Sequence, residues 1–229
     1  MNLTQLASLF RLTFDLFIPK KVSIRRGDEL TITYTNLLRG CEERRARLLH
    51  QWYFQCQCQR CQDPGSDFGT FINAIRCPKC ATADGNGYLT LSEQSTWSCA
   101  SCQLSVSGAS VEHLVGQFLG ALEEIHPGSE TAIEDYESFI ATAGDHLHKN
   151  HFTCLIAKRY LTQLYSLESD SKKIVEVCAD LLAVFDILDP GLSQTRGLTT
   201  SRLVLAKIKL KQIEEGDLKS QVDLVTRRG

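Results

Sequence analysis

The sequence predicts an α+β protein in which a small β segment and a zinc-stapled, loop-rich stretch precede a mainly α-helical domain. Two observations carry this prediction. Seven of the ten cysteines fall between residues 56 and 102 at metal-ligand spacings, and helical periodicity runs from Val111 to the end. Strand-like runs at residues 12–35 supply the β segment.

Composition narrows the class of protein further. The chain has 229 residues, of which 43% are hydrophobic, enough for one large domain or two small ones. A net charge of −2 gives no reason to expect a nucleic-acid partner. No apolar run reaches the roughly 20 residues of a membrane span, and the start, broken by Arg11 and Asp15, does not read as a signal peptide. We therefore expect a reducing compartment, the cytoplasm or the nucleus or both, where clustered cysteines more often bind metal than form disulfides.

The first elements are two strands and a helix. The runs "VSIR" and "LTITYT" flank the turn-like "RGDE", and residues 42–53 follow with helical spacing. Glu43 and Arg47 form a supporting i,i+4 pair on this helix. Its predicted inner face carries Cys41, Arg45, Leu48 and Trp52.

Residues 54–110 show little periodicity and little apolar material, so this stretch is expected to need a stabilising cross-link such as a bound metal ion. Its strongest pattern is C-x2-C-x18-C-x2-C, which suits a tetrahedral zinc site made of two knuckles. Turn residues and the strand-like "YLTL" lie between the two pairs, as in a zinc ribbon. The alternative is a set of reduced, unligated thiols. The four candidate ligands are Cys77, Cys80, Cys99 and Cys102.

A second cluster, Cys56, Cys58 and Cys61, offers three ligands where a closed structural site takes four. Cys41 and His50 are local candidates for the fourth, although Cys41 reads better as a buried structural cysteine. We therefore predict that this site is weak or empty. The later helical cysteines, Cys154 and Cys178, are also predicted to be structural.

The remainder of the chain predicts helices near 111–126, 129–147, 151–167, 171–188 and 195–215, with a possible short helix after Asp217. Ser129 and Ser171 are candidate N-caps. Pairs of helices about forty residues long indicate tetratricopeptide-like stacking, with a plain helical bundle as the alternative.

The order "GDELTITY", helix, "YFQCQCQRC" resembles the end of a SET domain with its post-SET zinc loop, and more closely the SET-and-MYND (SMYD) family of protein-lysine methyltransferases. The further cysteine pairs and the helical remainder, with "LDPGLSQTRG", are similar to an arthropod-specific branch that carries an added zinc ribbon. The resemblance implies the end of a SET domain at 1–53, a post-SET loop at 54–62, a zinc ribbon at 63–110 and a tetratricopeptide-like domain at 111–229.

Site residues also follow from the resemblance. Tyr34 matches the catalytic tyrosine that ends the SET strand and helps bind S-adenosylmethionine, and Phe54 matches the aromatic residue that packs on this cofactor. Trp52 stands where several family members have a second channel tyrosine, so the hydroxyl is missing there. Tyr53 could replace it only if the backbone slipped by one residue. Without the resemblance, Tyr34 and Trp52 are an ordinary strand residue and an ordinary helix anchor.

One departure from the family decides the functional expectation. The upstream Asn-His-Ser-Cys-x-Pro-Asn motif, which binds the cofactor and gives the fourth post-SET zinc ligand, has no counterpart in residues 1–20. We therefore expect the C-terminal portion of an SMYD-type methyltransferase that is catalytically incomplete by itself. The alternative is a non-catalytic zinc-binding module whose helical domain binds protein substrates or partners. Nucleic-acid binding by the ribbon is poorly supported because Lys79 is the one cation between Cys77 and Cys102.

Overall fold

A computed structural model describes residues 25–27, 33–62, 65, 67–80, 87–92, 96–190 and 193–211. The predicted strands at 12–35 lie largely outside the described residues, and the described residues 33–35 are not in a strand. Within the described chain, no helix combines the length and apolar character needed to cross a membrane.

The described elements follow one another in a simple order. A helix, a one-turn helix and four short strands come first, and five longer helices follow. They are α1 (Cys41–Trp52), α2 (Gln59–Gln62), β1 (Ile75–Arg76), β2 (Tyr88–Leu91), β3 (Trp97–Cys99), β4 (Ser105–Val106), α3 (Gly108–Glu123), α4 (Ala132–Gly144), α5 (Phe152–Glu168), α6 (Ser171–Leu188) and α7 (Gln194–Lys209).

The strands form a 4-stranded antiparallel sheet in the order β1-β2-β3-β4. The predicted strand "YLTL" is confirmed as β2, where Leu89 and Leu91 point inward and alternate with more exposed residues. With its small sheet, its cysteine clusters and its mainly helical remainder, the structure confirms the α+β prediction.

The sheet does not depend on metal alone for its packing. Leu89, Leu91 and Trp97 belong to the same hydrophobic core as Phe139 and Leu161 of the helices. Residues 54–110, in which we expected little apolar material for a core, therefore contribute to it. Each short strand supplies few apolar residues, and many of the partners that complete the core, such as Phe139 and Leu161, lie more than thirty residues away in sequence. The sequence pattern of the strands therefore gives little sign of their share in the core.

Backbone hydrogen bonds join the sheet to the helical region. The amide of Arg76 donates to the carbonyl of His146 over 2.7 Å, and the amide of His148 donates to the carbonyl of Ala74 over 3.0 Å. A further bond runs from the amide of Phe152 to the carbonyl of Ile72 over 2.9 Å. The connection between α4 and α5 thus extends the sheet edge and fixes the ribbon against the helices.

Helix α1 confirms the predicted element but corrects its inner face. Cys41 and Leu48 are buried as expected, whereas the buried arginine is Arg44 and not Arg45, and Trp52 is exposed. Arg44 is buried because it meets an anionic partner inside the fold, which a pattern of apolar residues cannot indicate. The predicted Glu43–Arg47 pair is present at 3.5 Å.

The helices of the C-terminal region pack mainly in chain order, α4 on α5, α5 on α6 and α6 on α7. Two predicted caps are wrong. Ser129 lies outside α4, whose N-cap position is Thr131, and the N-cap of α6 is Asp170, whose carboxylate accepts from the amide of Lys173. Helix α7 ends at Lys209 instead of 215, and the short helix after Asp217 lies outside the described residues.

The "LDPGLSQTRG" segment is held by one buried arginine. Arg196 donates to Asp186 over 2.6 Å and to the carbonyl of Pro190 over 3.0 Å. Ser193 caps α7 by accepting from the amide of Arg196. These bonds satisfy polar groups near the end of α6 and join this end of α6 to the start of α7.

Candidate functional site

The four ribbon cysteines converge as the C-x2-C spacing predicts. The sulfur of Cys77 lies 3.5 Å from that of Cys102, and the sulfur of Cys80 lies 3.8 Å from that of Cys99. All four sulfurs fall within 4.8 Å of one another. Zinc–sulfur bonds of about 2.3 Å in a tetrahedron require sulfurs about 3.8 Å apart, so this arrangement fits a four-thiolate zinc ion.

Local backbone geometry creates the ribbon cluster. A Cβ at Gly87 would lie 2.3 Å from the Cβ of Cys80 and 3.3 Å from the sulfur of Cys99, so this position has room for glycine alone. The carbonyl of Gly87 accepts from the amide of Cys77 over 2.9 Å, which closes the first knuckle.

The second knuckle favours a thiolate. Burial of Cys99 raises its pKa, but the backbone amides of Cys102 and Ser101 donate to its sulfur and bring that pKa down to about 6. A thiolate is the form that binds zinc, so the turn prepares this ligand.

The second cluster is also assembled. The sulfurs of Cys56, Cys58 and Cys61 lie within 4.8 Å of one another, and the described residues add no fourth cysteine, histidine or carboxylate to this group. Cys41, the local candidate, is buried and directs its thiol at the carbonyl of Cys61 over 3.7 Å. Burial raises the pKa of Cys41 to about 12, so it suits a structural thiol better than a ligand.

A buried cluster of charges holds this loop against α1. Asp67, which is 0% exposed, accepts from Nε of Arg60 over 2.8 Å, and Nη1 of Arg44 lies 3.6 Å from the same carboxylate oxygen. Nδ2 of Asn73 donates to the second carboxylate oxygen over 2.7 Å. The carbonyl of Leu37 accepts from Nη1 of Arg60, and the carbonyl of Arg39 accepts from Nη2 of Arg60 and from Nη1 of Arg44.

This cluster bears directly on the metal ligands. Two buried guanidinium groups face one carboxylate, and Nη2 of Arg44 donates to the sulfur of Cys61 over 3.6 Å. Burial opposes ionisation of Cys61, yet the hydrogen bond and charge of Arg44 leave its pKa below the usual value. The two guanidinium groups and one carboxylate leave one buried positive charge, which a thiolate at Cys61 would balance.

Thiol chemistry tests the three-cysteine cluster. In zinc-containing buffer we expect Cys56 and Cys58 to be alkylated far faster than the four ribbon cysteines, because three thiolates leave one coordination position open. Peptide mass spectrometry after timed iodoacetamide treatment measures this, with buried Cys178 as an inert internal control. Protection of Cys56 and Cys58 equal to that of the ribbon, reversed by a chelator alone, would mean that a fourth ligand exists.

An aromatic group precedes this cluster. The ring of Tyr34 lies 5.0 Å from that of Trp52 and 5.7 Å from that of Phe54, both edge to face. The three rings are 43%, 52% and 39% exposed, so they form an open surface. Tyr53 is 87% exposed, and its left-handed φ of 57° ends α1 and turns it away from the group.

The structure thus brings together the residues that the sequence singled out, in three groups. The four ribbon cysteines form the first group, and the three loop cysteines form the second. The third group is made of Tyr34 with Trp52, at the end of α1, and Phe54, just before the cysteine loop. Sequence reasoning missed Arg44, Arg60 and Asp67. Their signal is weak because charged residues near a turn are ordinarily exposed.

Comparison with known proteins finds similarity over short segments. No family model matches the chain. The "Histone-lysine N-methyltransferase Smyd1" of Mus musculus is 43% identical over 56 residues, covering 24% of this chain and 11% of that protein. The "Histone-lysine N-methyltransferase SMYD3" of Mus musculus is 48% identical over 44 residues, covering 19% and 10%. The matches support the SMYD family.

Related SET proteins extend the comparison. The "Histone-lysine N-methyltransferase SET5" of Saccharomyces cerevisiae (strain YJM789) is 41% identical over 54 residues, or 24% of this chain and 10% of that protein. The chain therefore matches only about a tenth of the length of these curated relatives. The relatives are lysine methyltransferases of the SMYD and SET type.

Proposed function

We propose that this chain is the C-terminal portion of an SMYD-type protein-lysine methyltransferase that uses S-adenosylmethionine. The observation that carries the proposal is the aromatic group of Tyr34, Trp52 and Phe54, set directly before the three-cysteine loop. Similarity to SMYD-type enzymes at 43–48% identity over short segments supports it.

In this proposal two of the three aromatic residues have separate tasks. Phe54 offers an apolar face for the cofactor, and Tyr34 offers a phenol that orients the lysine amine for attack on the methyl group. Methyl transfer of this kind depends mainly on positioning. The branch with an added ribbon is the SMYD group we favour, because the ribbon cysteines converge in space and share a core with the helices.

The zinc ions have structural tasks. Cys77, Cys80, Cys99 and Cys102 would hold one ion, and Cys56, Cys58 and Cys61 would hold a second once a further ligand is supplied. A bound ion would fix the loop that carries Phe54 next to Tyr34. We propose protein substrates or partners for the helical domain.

The chain by itself is proposed to be catalytically incomplete. Among the residues that the structure describes, the three rings offer an open wall, with exposures of 39–52%, and not an enclosed site. Aromatic packing gives about 0.5–1.5 kcal/mol per pair beyond area burial, whereas micromolar affinity takes about 8 kcal/mol. We therefore expect calorimetry with S-adenosylmethionine to give no binding in the micromolar range. A micromolar dissociation constant would overturn this part of the proposal.

The methyltransferase function is tested on the full-length product of the gene. We expect it to transfer labelled methyl groups from S-adenosylmethionine to protein lysines, with histones as the first substrates to try. Tyr34→Phe should lower the rate by roughly 100-fold or more, since it removes an orienting hydroxyl, and Tyr53→Phe is the matched control. Equal activity of the Tyr34→Phe and Tyr53→Phe variants would contradict the assignment.

A non-catalytic interaction module is the second candidate. It is favoured by a cavity between α1, the ribbon and α3, apart from the aromatic group. Partner binding by the chain in the absence of any S-adenosylmethionine binding would favour this candidate.

A further inference from the structure

A cavity of about 300 Å³ lies where the start of α1, the ribbon and α3 meet. Its size is at the lower end of the range for ligand pockets, about 300–1,000 Å³, so it suits one large side chain and the adjoining peptide unit. Most of the exposed lining surface is apolar. The apolar side chains in the lining are Leu91, Trp97, Val111, Val115, Leu119 and Phe152.

One polar group in the cavity wall lacks a partner. His151 is fully buried, and its Nε2 has no hydrogen-bond partner among the described residues. Its Nδ1 lies 2.9 Å from the hydroxyl oxygen of Thr153, and as the cap of α5 it accepts from the amide of Thr153 over 3.4 Å. In a neutral imidazole the proton then resides on Nε2, which makes it a donor. Leaving such a donor unpaired costs about 1–3 kcal/mol, so this site favours a ligand that brings an acceptor.

Two carboxylates at the cavity have no counter-charge. Glu42 and Glu112 are exposed and form no ion pair with any residue in the described parts of the chain. Glu43, their neighbour, differs because Arg39 and Arg47 already engage it. The apolar cavity therefore carries an acidic rim, which attracts cations and repels anions.

We infer that this cavity binds a basic peptide segment of a partner protein. A large apolar side chain would fill the space beside Trp97, and a peptide carbonyl would accept from Nε2–H of His151. Flanking lysine or arginine side chains would pair with Glu42 and Glu112. The site is separate from the aromatic group of Tyr34, so the inference does not rest on methyl transfer.

A synthetic peptide library on the full chain tests the inference. Every six-residue member has one Leu, Ile, Met or Phe at a fixed position, and the neighbouring positions are either Lys and Arg or Asp and Glu. We expect retention of the basic set and not of the acidic set. We also expect affinity to fall when the apolar residue is replaced by Gly. The proposal would be overturned if the basic and acidic peptides were retained equally, or if no peptide of either set were retained.

Two matched variants of α3 separate binding from folding. Gly116 lines the cavity, and a Cβ there meets nothing within 4 Å, so Gly116→Leu fills the cavity without a clash at Cβ. Gly120, one turn along the same helix, is equally open but is outside the cavity lining, so Gly120→Leu is the control. Both changes improve helix propensity.

We expect Gly116→Leu to lower the affinity for the best basic peptide by more than about tenfold, as loss of a central apolar anchor does. Gly120→Leu should leave this affinity unchanged. His151→Asn keeps a capping oxygen and removes the Nε2 donor, so it should also weaken binding. Glu42→Gln with Glu112→Gln should reduce the salt dependence of binding. Undiminished affinity in Gly116→Leu would place the peptide elsewhere and refute the site.

Discussion

Replacing Cys99 and Cys102 by serine should remove about one equivalent of zinc and unfold the ribbon. The reason lies in the convergence of four sulfurs within 4.8 Å. Zinc contributes about 10–16 kcal/mol to a small structural site, which equals or exceeds the total stability of about 5–15 kcal/mol of a typical domain. No rearrangement of the remaining thiols compensates for such a loss.

The effect should also reach the helices. Leu89, Leu91 and Trp97 share a core with the helical region, and the segment from Ile72 to Arg76 pairs with the connection between α4 and α5. We therefore expect a lower midpoint of thermal unfolding for the whole chain. Circular dichroism at 222 nm, a helix signal, measures this together with atomic emission analysis for zinc.

Cys178→Ala is the matched control for the zinc experiment. Cys178 is buried in α6 and belongs to neither metal cluster, so this variant should keep its zinc while losing some packing. Unchanged zinc content in the Cys99→Ser, Cys102→Ser variant would show that the ribbon thiols are not ligands.

Asp67→Ala is expected to be the most damaging single substitution outside the ribbon. The carboxylate is fully buried and faces the guanidinium groups of Arg44 and Arg60, which are 3% and 5% exposed. Removing one partner from a buried ionic group leaves an uncompensated charge and costs about 3–5 kcal/mol. Urea unfolding, followed by tryptophan fluorescence, should show the midpoint moving down accordingly.

Glu43→Gln is the control for this experiment. Glu43 also faces two arginines, Arg39 and Arg47, but all three side chains are roughly a third or more exposed. Exposed ion pairs are worth about 0–1 kcal/mol, so this variant should unfold close to the parent chain. Similar midpoints for Asp67→Ala and Glu43→Gln would mean that the buried charge cluster does not stabilise the loop.

The two variants also differ in their effect on the loop cysteines. Arg44 reaches both Asp67 and the sulfur of Cys61, so loss of Asp67 frees this guanidinium to move. The rate at which Cys61 is alkylated should therefore differ from that of the parent chain in Asp67→Ala and equal it in Glu43→Gln.

The sequence alone determined the elements that follow from local spacing. Within each C-x2-C pair two sulfurs approach each other because the pair forms its own tight turn. Helix α6 spans the predicted residues 171–188 because its apolar period acts locally, although its N-cap is Asp170 and not Ser171. The strand "YLTL" was predictable for the same reason.

Tertiary structure decided what depends on distant partners. The choice of Arg44 over Arg45 for the inside of α1 depends on Asp67, which lies over twenty residues along the chain. The ribbon core, the unpaired Nε2 of His151 and the cavity beside Trp97 arise where separate segments meet. Spacing along a chain records the period of one element, whereas burial of a charge or creation of a cavity depends on which surfaces the fold brings together.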